Sequence, residues 1–574
     1  MDEGAGDGLT AVIRQAIQHW SELPDSEALS VECLRTVGLS GEVRGLDAII
    51  PFVSLPLDPV AHLPWHEKAK AEMGGELDAR RGSHQRVRRA AFMALQGIVE
   101  AVEGLDWLVF DEMARRNGYA TYGARQAWHN IEPDVLDGLP EDDGLRNAWL
   151  TLLCCHPNGY VREGALLHLA GASMTLAYPI ALVRANDWVS AIRVIAMEAV
   201  RQVGEYGAHH LVVTHLPLLL RLEHCAREAH GPLIHDVLQS VYRDDGAALV
   251  QGMKSADTSI RRAIVKVASG AGRAARLGVV RRAVHDPDVL VRLWAVSALD
   301  ELAAEGADES EALRDGLLTD PAGAIRRRVI EGLVERGVEA AVPTLRQALL
   351  DKNGAVRHLA RFYLAKAGAL SDFAPTYRTA LADRSGHPAA ALAGLGETGG
   401  REDCERVAAY LQHGSPRVVC AAIRALERLD PEGSRGLRRE AILHDAPRVV
   451  REALGSLGAP LRGTDQRWLL ARATAPLDER RAARLLDAAN HLRAWPRLEL
   501  LLRLVAAADE DGLTLSSSAL AAWSPVDDER YAPGPPPVDA APALRRAFAD
   551  AKSRLTLPVR VRLERITAGL LDLG

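Results

Sequence analysis

Apolar residues recur along the middle of the chain at the spacing of one helical face. An arginine repeats at intervals, and apolar residues stand three and seven positions after it, as Ile264 and Ala268 do after Arg261. Side chains at this spacing share one face of an α-helix. A second short amphipathic stretch precedes each such segment, and no alternating β-branched run is long enough to propose a strand. The pattern predicts paired helices joined by turns.

The arginines themselves define a repeat. Successive arginines are 31 residues apart in several cases, and an aspartate stands six positions before the arginine in five units. A helix pair of this length does not bury its apolar face alone, whereas stacked pairs bury a continuous core. About ten such units fit between residues 150 and 460. The five pairs are Asp187 and Arg193, Asp286 and Arg292, Asp320 and Arg326, Asp351 and Arg357, and Asp445 and Arg451.

Paired helices of this length, with Asp in the turn and Val-Arg or Ile-Arg opening the second helix, resemble HEAT repeats. The short form with small residues resembles the bacterial HEAT-like repeats of the phycobilisome-lyase class. The resemblance implies an all-α fold, a right-handed α-solenoid of stacked helical hairpins. It also implies that the Asp of one unit bonds the Arg of a neighbour, which makes the five pairs members of a structural ladder.

The departures from the repeat predict the organisation of the rest of the chain. Six of the ten tryptophans precede residue 190, and four prolines interrupt residues 51–64. We expect a divergent helical cap (1–75), irregular Trp-rich helical repeats (76–150), regular repeats (151–460), degenerate repeats (461–523), a proline-rich linker (524–540) and capping helices (541–574).

Composition narrows the class of protein without naming a function. Lys+Arg 69 against Asp+Glu 76 gives a formal net charge of −7, which argues against a nucleic-acid-binding protein. The chain has no apolar run of transmembrane length and an acidic beginning, and its six cysteines lack a C-x-x-C pair. These features predict a cytoplasmic protein with reduced thiols.

Candidate chemistry concentrates in one histidine-rich repeat. Six of nineteen histidines lie between His209 and His235, with carboxylates and Cys225 among them, but not at the spacing of known zinc sites. A metal-dependent enzyme at 205–236 is therefore the third hypothesis for function. The single His66-Glu67 dipeptide is too little for a two-iron site, and the Gly394-x-Gly396-x-x-Gly399 string follows a predicted helix, not a strand. We expect no cofactor, no metal and no catalytic residue.

Basic residues supply a second hypothesis. Residues 261–293 and 324–366 carry net positive charge, and the stretch between them is negative. If these cations share one face, they could form a phosphate-binding stripe like that of HEAT-like DNA glycosylases. Against this, few aromatic residues are present there to stack on bases. The stripe would comprise Arg262, Lys266, Arg327, Arg328 and Arg361.

The favoured prediction is a non-catalytic scaffold that binds a protein or peptide on the concave surface formed by the second helices. Curved solenoids expose such a surface without catalytic groups. Positions one and five after the repeating arginine lie beyond the apolar face and should be exposed there. The predicted contacts are Arg262, Lys266, Leu293, Arg327, Glu331, His358 and Phe362.

Overall fold

The computed structural model describes residues 26–54, 76–115, 128–243, 246–305, 309–383, 386–473, 477, 479–523 and 540–571. The chain divides into two compact units, unit 1 over Met1–Leu317 and unit 2 over Leu318–Gly574. Helices make up both units, and the described residues contain a single isolated parallel bridge, between Leu477 and Ala508, but no strand. No helix in the described part is long and apolar enough to cross a membrane.

Unit 1 consists mostly of short helices, with one longer helix of 26 residues, Glu76–Ala101. Its helices are α1 (Ser26–Ser40), α2 (Leu46–Val53), α3 (Glu76–Ala101), α4 (Asp106–Arg115), α5 (Asp143–Leu153), α6 (Gly159–Ala172), α7 (Met174–Arg184), α8 (Ser190–Glu205), α9 (His209–Thr214), α10 (Leu216–Arg221), α11 (Gly231–Arg243), α12 (Ala247–Gly252), α13 (Thr258–Val267), α14 (Arg273–Ala283), α15 (Val289–Ala304) and α16 (Glu309–Leu317).

Unit 2 also consists of short helices. Its helices are α17 (Gly323–Arg336), α18 (Val338–Ala348), α19 (Gly354–Lys366), α20 (Ala374–Ala382), α21 (Pro388–Thr398), α22 (Cys404–Ala408), α23 (Pro416–Leu429), α24 (Arg435–Glu440), α25 (Pro447–Leu457), α26 (Gly463–Arg472), α27 (Glu479–Ala489), α28 (Ala494–Ala507), α29 (Glu510–Ala522), α30 (Ala541–Ala551) and α31 (Leu557–Leu571). Short 3-10 turns extend or connect several of them.

Polar side chains cap the N-termini of many second helices, the helices that carry the repeating arginine. Asn158, Asp257, Asp288 and Asn353 each stand immediately before such a helix, and each side chain accepts a hydrogen bond from a backbone N–H in the first turn. Because the first backbone N–H groups of a helix have no partner within it, these side chains set where the helix begins.

The apolar face of each second helix is buried. The residues three and seven positions after the arginine are inaccessible in α6, α8, α15 and α19, and also in α13 together with the 3-10 turn that follows it. In α17, Val329 is inaccessible while Leu333 is partly covered. Neighbouring helices of each unit close over these faces. The predicted fold class, an all-α solenoid of stacked helical hairpins, is confirmed.

The predicted segment boundaries remain predictions. Helices α30 and α31 occupy most of the predicted capping segment 541–574, and α1 and α2 lie within the predicted cap. Residues 1–25, 55–75 and 524–539 lie outside the described residues, and they include almost all of the predicted linker.

Candidate interaction surface

The repeating arginine occupies the fourth position of its helix and contacts two turns at once. In α13, Arg261 Nη1 donates to the carbonyl oxygens of Ser255 and Ala256 at 2.8 and 3.0 Å. Its Nε and Nη2 donate to the two carboxylate oxygens of Asp286 in the next repeat, at 2.7 and 3.2 Å. One buried guanidinium therefore ties its own turn to the next. The same arrangement joins Arg162 to Asp187 and Arg326 to Asp351.

Within one unit, the arginine side chain contacts the backbone of the aspartate. Asp286 Oδ1 accepts a hydrogen bond from the backbone N–H of Asp288 at 2.8 Å, while Arg292 Nη1 donates to the Asp286 carbonyl oxygen at 2.7 Å. The six-residue spacing thus reflects a side-chain-to-backbone contact within a turn. Side-chain ion pairs run between neighbouring units, and we call this set of contacts the Arg–Asp ladder.

Two positions use glutamate as the acid. Arg193 in α8 contacts Glu228 at 3.4 Å, three residues before the helix α11, where other units have Asp. Arg357 in α19 pairs with Glu397 of α21, which also accepts from Arg361 at 2.8 Å. Glu397 is 40 residues from Arg357 in sequence, so the interval of the pattern does not find it.

The assignment of Asp445 and Arg451 to the ladder is corrected by one residue. Helix α25 begins at Pro447, so its fourth residue is Val450, which is fully buried, and Arg451 is exposed. His444 is the turn residue, since its Nδ1 accepts from the backbone N–H of Ala446 at 2.9 Å. Asp445 instead pairs with Arg484.

The same turn recurs one repeat earlier, where His413 Nδ1 accepts from Ser415 N at 3.0 Å and the fourth residue of α23 is the buried Val419. The sequence does carry this signal. Both histidines stand three residues before the proline that opens a helix, at the distance that Asp286 keeps from the start of α15.

The predicted partner contacts lie in both units and are described separately. In unit 1, Arg262 and Lys266 are exposed and Leu293 is half-buried. In unit 2, Arg327 and His358 are exposed, Glu331 is half-buried and Phe362 is 55% exposed.

The cations of the predicted stripe already have carboxylate partners within this chain. In unit 1, Arg262 pairs with Asp288 at 2.6 Å and Lys266 with Glu223 at 3.0 Å. In unit 2 the pairs are Arg327 with Glu331 at 2.8 Å, Arg328 with Glu335 at 3.7 Å, and Arg361 with Glu397 at 2.8 Å. The positive charge of the stripe is therefore largely offset where it was expected to meet phosphates.

Sequence reasoning missed an apolar surface on α6, α8 and the turn before α8. Its members are Tyr160, Leu167, Trp188 and Val194, which are 76%, 55%, 60% and 62% exposed. We call them the α6–α8 apolar surface. Leu167 and Val194 occupy the ninth and fifth positions of their helices, the positions predicted to be exposed in later repeats. Extending that rule to earlier units would have found two of the four.

The histidine-rich repeat does not bring its histidines together. His215 and His230 are buried in different contacts, His215 against the Tyr178 ring and His230 with Nε2 on the Ala185 carbonyl oxygen at 2.9 Å. Burial lowers the pKa of His215 to about 4, which keeps this ring neutral. Among the described residues, no group of three or more His, Cys, Asp or Glu side chains is placed to hold a metal ion.

An open groove of about 610 Å³ lies beside this repeat, between the end of α8 and α11. Its charged lining mixes Arg201 and Arg243 with Glu205 and Asp236, and only His209 and His235 of the six histidines reach it. The opposed charges give the groove no strong preference for one sign of ligand.

The Cys154-Cys155-His156 sequence forms a structural turn. Burial raises the pKa of both thiols, which disfavours the nucleophilic thiolate. His156 Nδ1 accepts from Asn158 N at 3.0 Å, so Nε2 carries the hydrogen and donates to the Trp128 carbonyl oxygen at 2.7 Å. Burial lowers the pKa of His156 to about 4. This neutral imidazole holds the turn position that Asp286 holds elsewhere.

The glycines at 394–399 also have a packing role. Gly394 and Gly396 lie inside α21, where a Cβ on Gly394 would overlap the Tyr377 ring and one on Gly396 would lie 2.7 Å from Ala425 Cα. Close helix packing therefore accounts for these two glycines, and no strand precedes them in the part of the chain that the structure describes.

Comparison with known proteins agrees with this geometry. Residues 310–388 match the family model of HEAT repeats. This segment of the chain therefore resembles HEAT repeats. The match covers helices α17 to α20 and includes Arg326 and Asp351, which form a ladder contact.

Several solved structures are also similar to the chain, with low TM-scores. Yeast importin-β (Kap95p) is 13% identical with a TM-score of 0.22, over 96% of this chain and 82% of that chain. Kap95p in a study of its binding to RanGDP is 14% identical with a TM-score of 0.26, over 96% and 81%. An engineered protein is 16% identical with a TM-score of 0.16, over 76% and 97%. No curated protein matches the sequence.

Proposed function

We propose that this HEAT-repeat protein is a non-catalytic scaffold that binds a protein or peptide partner on the exposed side of its second helices. The observation that carries the proposal is the α6–α8 apolar surface, where two large aromatic and two aliphatic side chains face solvent on α6, α8 and the turn before α8. Contiguous exposed apolar groups are typical of interaction sites, and aromatic anchors dominate the affinity of many interfaces.

The predicted contacts on later repeats extend the proposal. Arg262, Lys266 and Leu293 are the proposed contacts of unit 1, and Arg327, Glu331, His358 and Phe362 are those of unit 2. Phe362 is the strongest of them, because its ring is more than half exposed and lies against Tyr363 at a centroid distance of 5.0 Å. Its edge contact holds an aromatic anchor in place before a partner arrives.

Nucleic acid is a weaker proposal for the same faces. A phosphate-binding stripe needs cations free to replace counterions, whereas the five arginine and lysine side chains of the predicted stripe are paired with acids of this chain. Placement in the cytoplasm, the absence of catalysis and membership of the phycobilisome-lyase class of repeats remain predictions from the sequence.

The test uses the full chain as bait. Proteins captured from the native lysate are identified by mass spectrometry, the specific partner is purified, and its Kd is measured for the chain and for the double variant Tyr160→Glu, Val194→Glu. We expect at least a tenfold weaker Kd, because two carboxylates would be buried without partners. Leu557→Glu is the matched control, since Leu557 is 63% exposed in α31.

Treating the lysate with nuclease or with a chelator distinguishes the scaffold proposal from the nucleic-acid and metal hypotheses. Capture that is abolished by nuclease would replace the scaffold proposal by nucleic-acid binding, and capture abolished by chelation would favour the metal hypothesis. An unchanged Kd in the double variant, with folding intact by circular dichroism, would remove the α6–α8 apolar surface from the proposal.

A further inference from the structure

Trp188 combines high exposure with a rigid, charged setting. The indole is 60% exposed, yet the guanidinium carbons of Arg115 and Arg162 lie 4.9 and 5.0 Å from its ring centroid. Arg162 is itself inaccessible to solvent and is held by Asp187. Cation–π contacts of this kind fix the ring, so little side-chain entropy is left to lose when a partner packs on it.

The arginines around Trp188 belong to one network. Asp187, whose side chain is 1% exposed, accepts from Arg162 at 2.9 Å and from Arg184 at 2.9 Å, and lies 3.5 Å from Arg115. Asp111 pairs with both Arg115 and Arg184. Three guanidinium groups thus share two carboxylates beneath the indole.

Two more arginines reach the same turn, Arg193 from its own repeat and Arg227 from the next one. Arg193 Nη1 donates to the carbonyl oxygens of Asp187 and Trp188 at 2.9 and 3.3 Å, and its Nε lies 3.4 Å from Glu228. The exposed Arg227 donates to the Asn186 carbonyl oxygen at 3.1 Å.

Among the described residues, the charged side chains that form the contacts named above do not cancel one another. Arg115, Arg162, Arg184, Arg193 and Arg227 carry +5, and Asp111, Asp187 and Glu228 carry −3, so the formal sum is +2. The buried members sit in a medium of lower dielectric constant than water, where their field reaches the surface with less screening. This local excess contrasts with the net charge of −7 for the whole chain.

We propose that the turn around Trp188 binds an acidic peptide segment whose apolar side chain packs on the indole. The inference deepens the proposed function and rests on it, because it states the partner chemistry for one end of the α6–α8 apolar surface. The exposed ring supplies the apolar contact, and the uncompensated guanidinium charge selects Asp or Glu on either side of the anchor. Tyr160 and Val194 extend the contact along α6 and α8.

The experiment selects ligands without assuming a partner. Random twelve-residue peptides displayed on phage are panned against the full chain after depletion on the Trp188→Ala variant, and recovered peptides are synthesised and measured by fluorescence anisotropy. We expect sequences with Asp or Glu beside an aromatic or aliphatic residue. Trp188→Ala should weaken their Kd at least tenfold, and Arg227→Gln should weaken it several-fold and reduce the dependence on salt.

Tyr206→Ala is the control, since Tyr206 is 71% exposed just after α8 and should leave the Kd unchanged. Recovered peptides with net positive charge or without charge bias would overturn the inference, and so would a failure to recover any peptide that needs Trp188. Self-association of the chain that Trp188→Ala abolishes would also overturn it, by placing a second copy at this turn. Each of these results leaves the lysate partner and the Tyr160→Glu, Val194→Glu test untouched, so the two proposals fail separately.

Discussion

Two pairs of neighbouring repeats in unit 2 make the same kind of contact with different chemistry. Between α17 and α19, the fourth helical residue is Arg326, which bonds Asp351 at 2.6 and 2.5 Å. Between α23 and α25, the fourth residues are Val419 and Val450, both fully buried, and His444 shapes the turn. One pair stacks through an ion pair, and the other stacks through apolar contact.

The difference shows that the fold depends on the apolar face and not on the ladder. Taking two charges out of water costs about as much as their attraction returns, so well-packed apolar groups of similar size can replace a buried ion pair with little change in stability. Removing one partner is a different matter, because it leaves a charge without compensation. Replacing both partners of a ladder ion pair should therefore change stability little, whereas removing only one partner should destabilise the fold.

The largest expected effect comes from breaking the ladder at Arg326. Arg326→Ala leaves Asp351 partly buried without its guanidinium and removes the donor to the Asp320 and Pro321 carbonyl oxygens. We expect the free energy of unfolding to fall by about 3 kcal/mol. Urea denaturation followed by circular dichroism measures it. A loss below about 1 kcal/mol would show that this contact contributes no more than a surface pair.

The next effect concerns histidine at the turn position. His156 has a pKa of about 4 in the folded chain because of burial, below the ordinary value of 6.5. The unfolded chain therefore binds the proton first, and the stabilisation present above pH 6.5 is lost as the pH falls towards 4, by about 3 kcal/mol in all. His156→Asn keeps an acceptor for Asn158 N and should reduce the acid sensitivity measured between pH 7.5 and 4.5. Equal acid sensitivity in the variant and the parent would contradict this source of pH dependence.

A smaller effect is expected when the chemistry of α23 and α25 is transplanted. Arg326→Val combined with Asp351→His places at these positions the residue types of the equivalent positions, Val419 and His444. We expect the double variant to lie within about 1 kcal/mol of the parent, while Arg326→Val alone loses about 2 kcal/mol. A double-mutant cycle built from the two single variants gives the coupling energy. Additive losses would mean that the two kinds of repeat are not interchangeable.

The smallest expected effect tests the corrected register. Arg451 is exposed at the fifth position of α25, so Arg451→Ala should change the free energy of unfolding by less than about 0.5 kcal/mol. The measurement runs beside Arg326→Ala under identical conditions. A loss comparable to that of Arg326→Ala would return Arg451 to the ladder.

Much of this architecture could be predicted because it is local. The arginine phase and the apolar residues three and seven positions later located α13, α15, α17 and α19, and those apolar residues are buried or partly covered. The prediction that Arg451 belongs to the ladder was wrong, because Asp445 and Arg451 have the expected spacing but lie one residue too late relative to Pro447, which opens α25. The spacing between two residues does not locate the first residue of a helix, whereas a proline or a capping side chain does.

The sequence by itself determined the helices, their paired arrangement and the identity of the buried positions, since helical periodicity and capping act within a few residues. Only the tertiary structure decided which acid meets which arginine, as with Glu397 for Arg357 across 40 residues. It also decided that Trp188 stays exposed above buried guanidinium groups while Trp107, Trp128 and Trp149 are buried. The physical reason is that partner choice and exposure depend on how successive helix pairs stack, and the stacking brings together side chains whose separation in sequence follows no fixed interval.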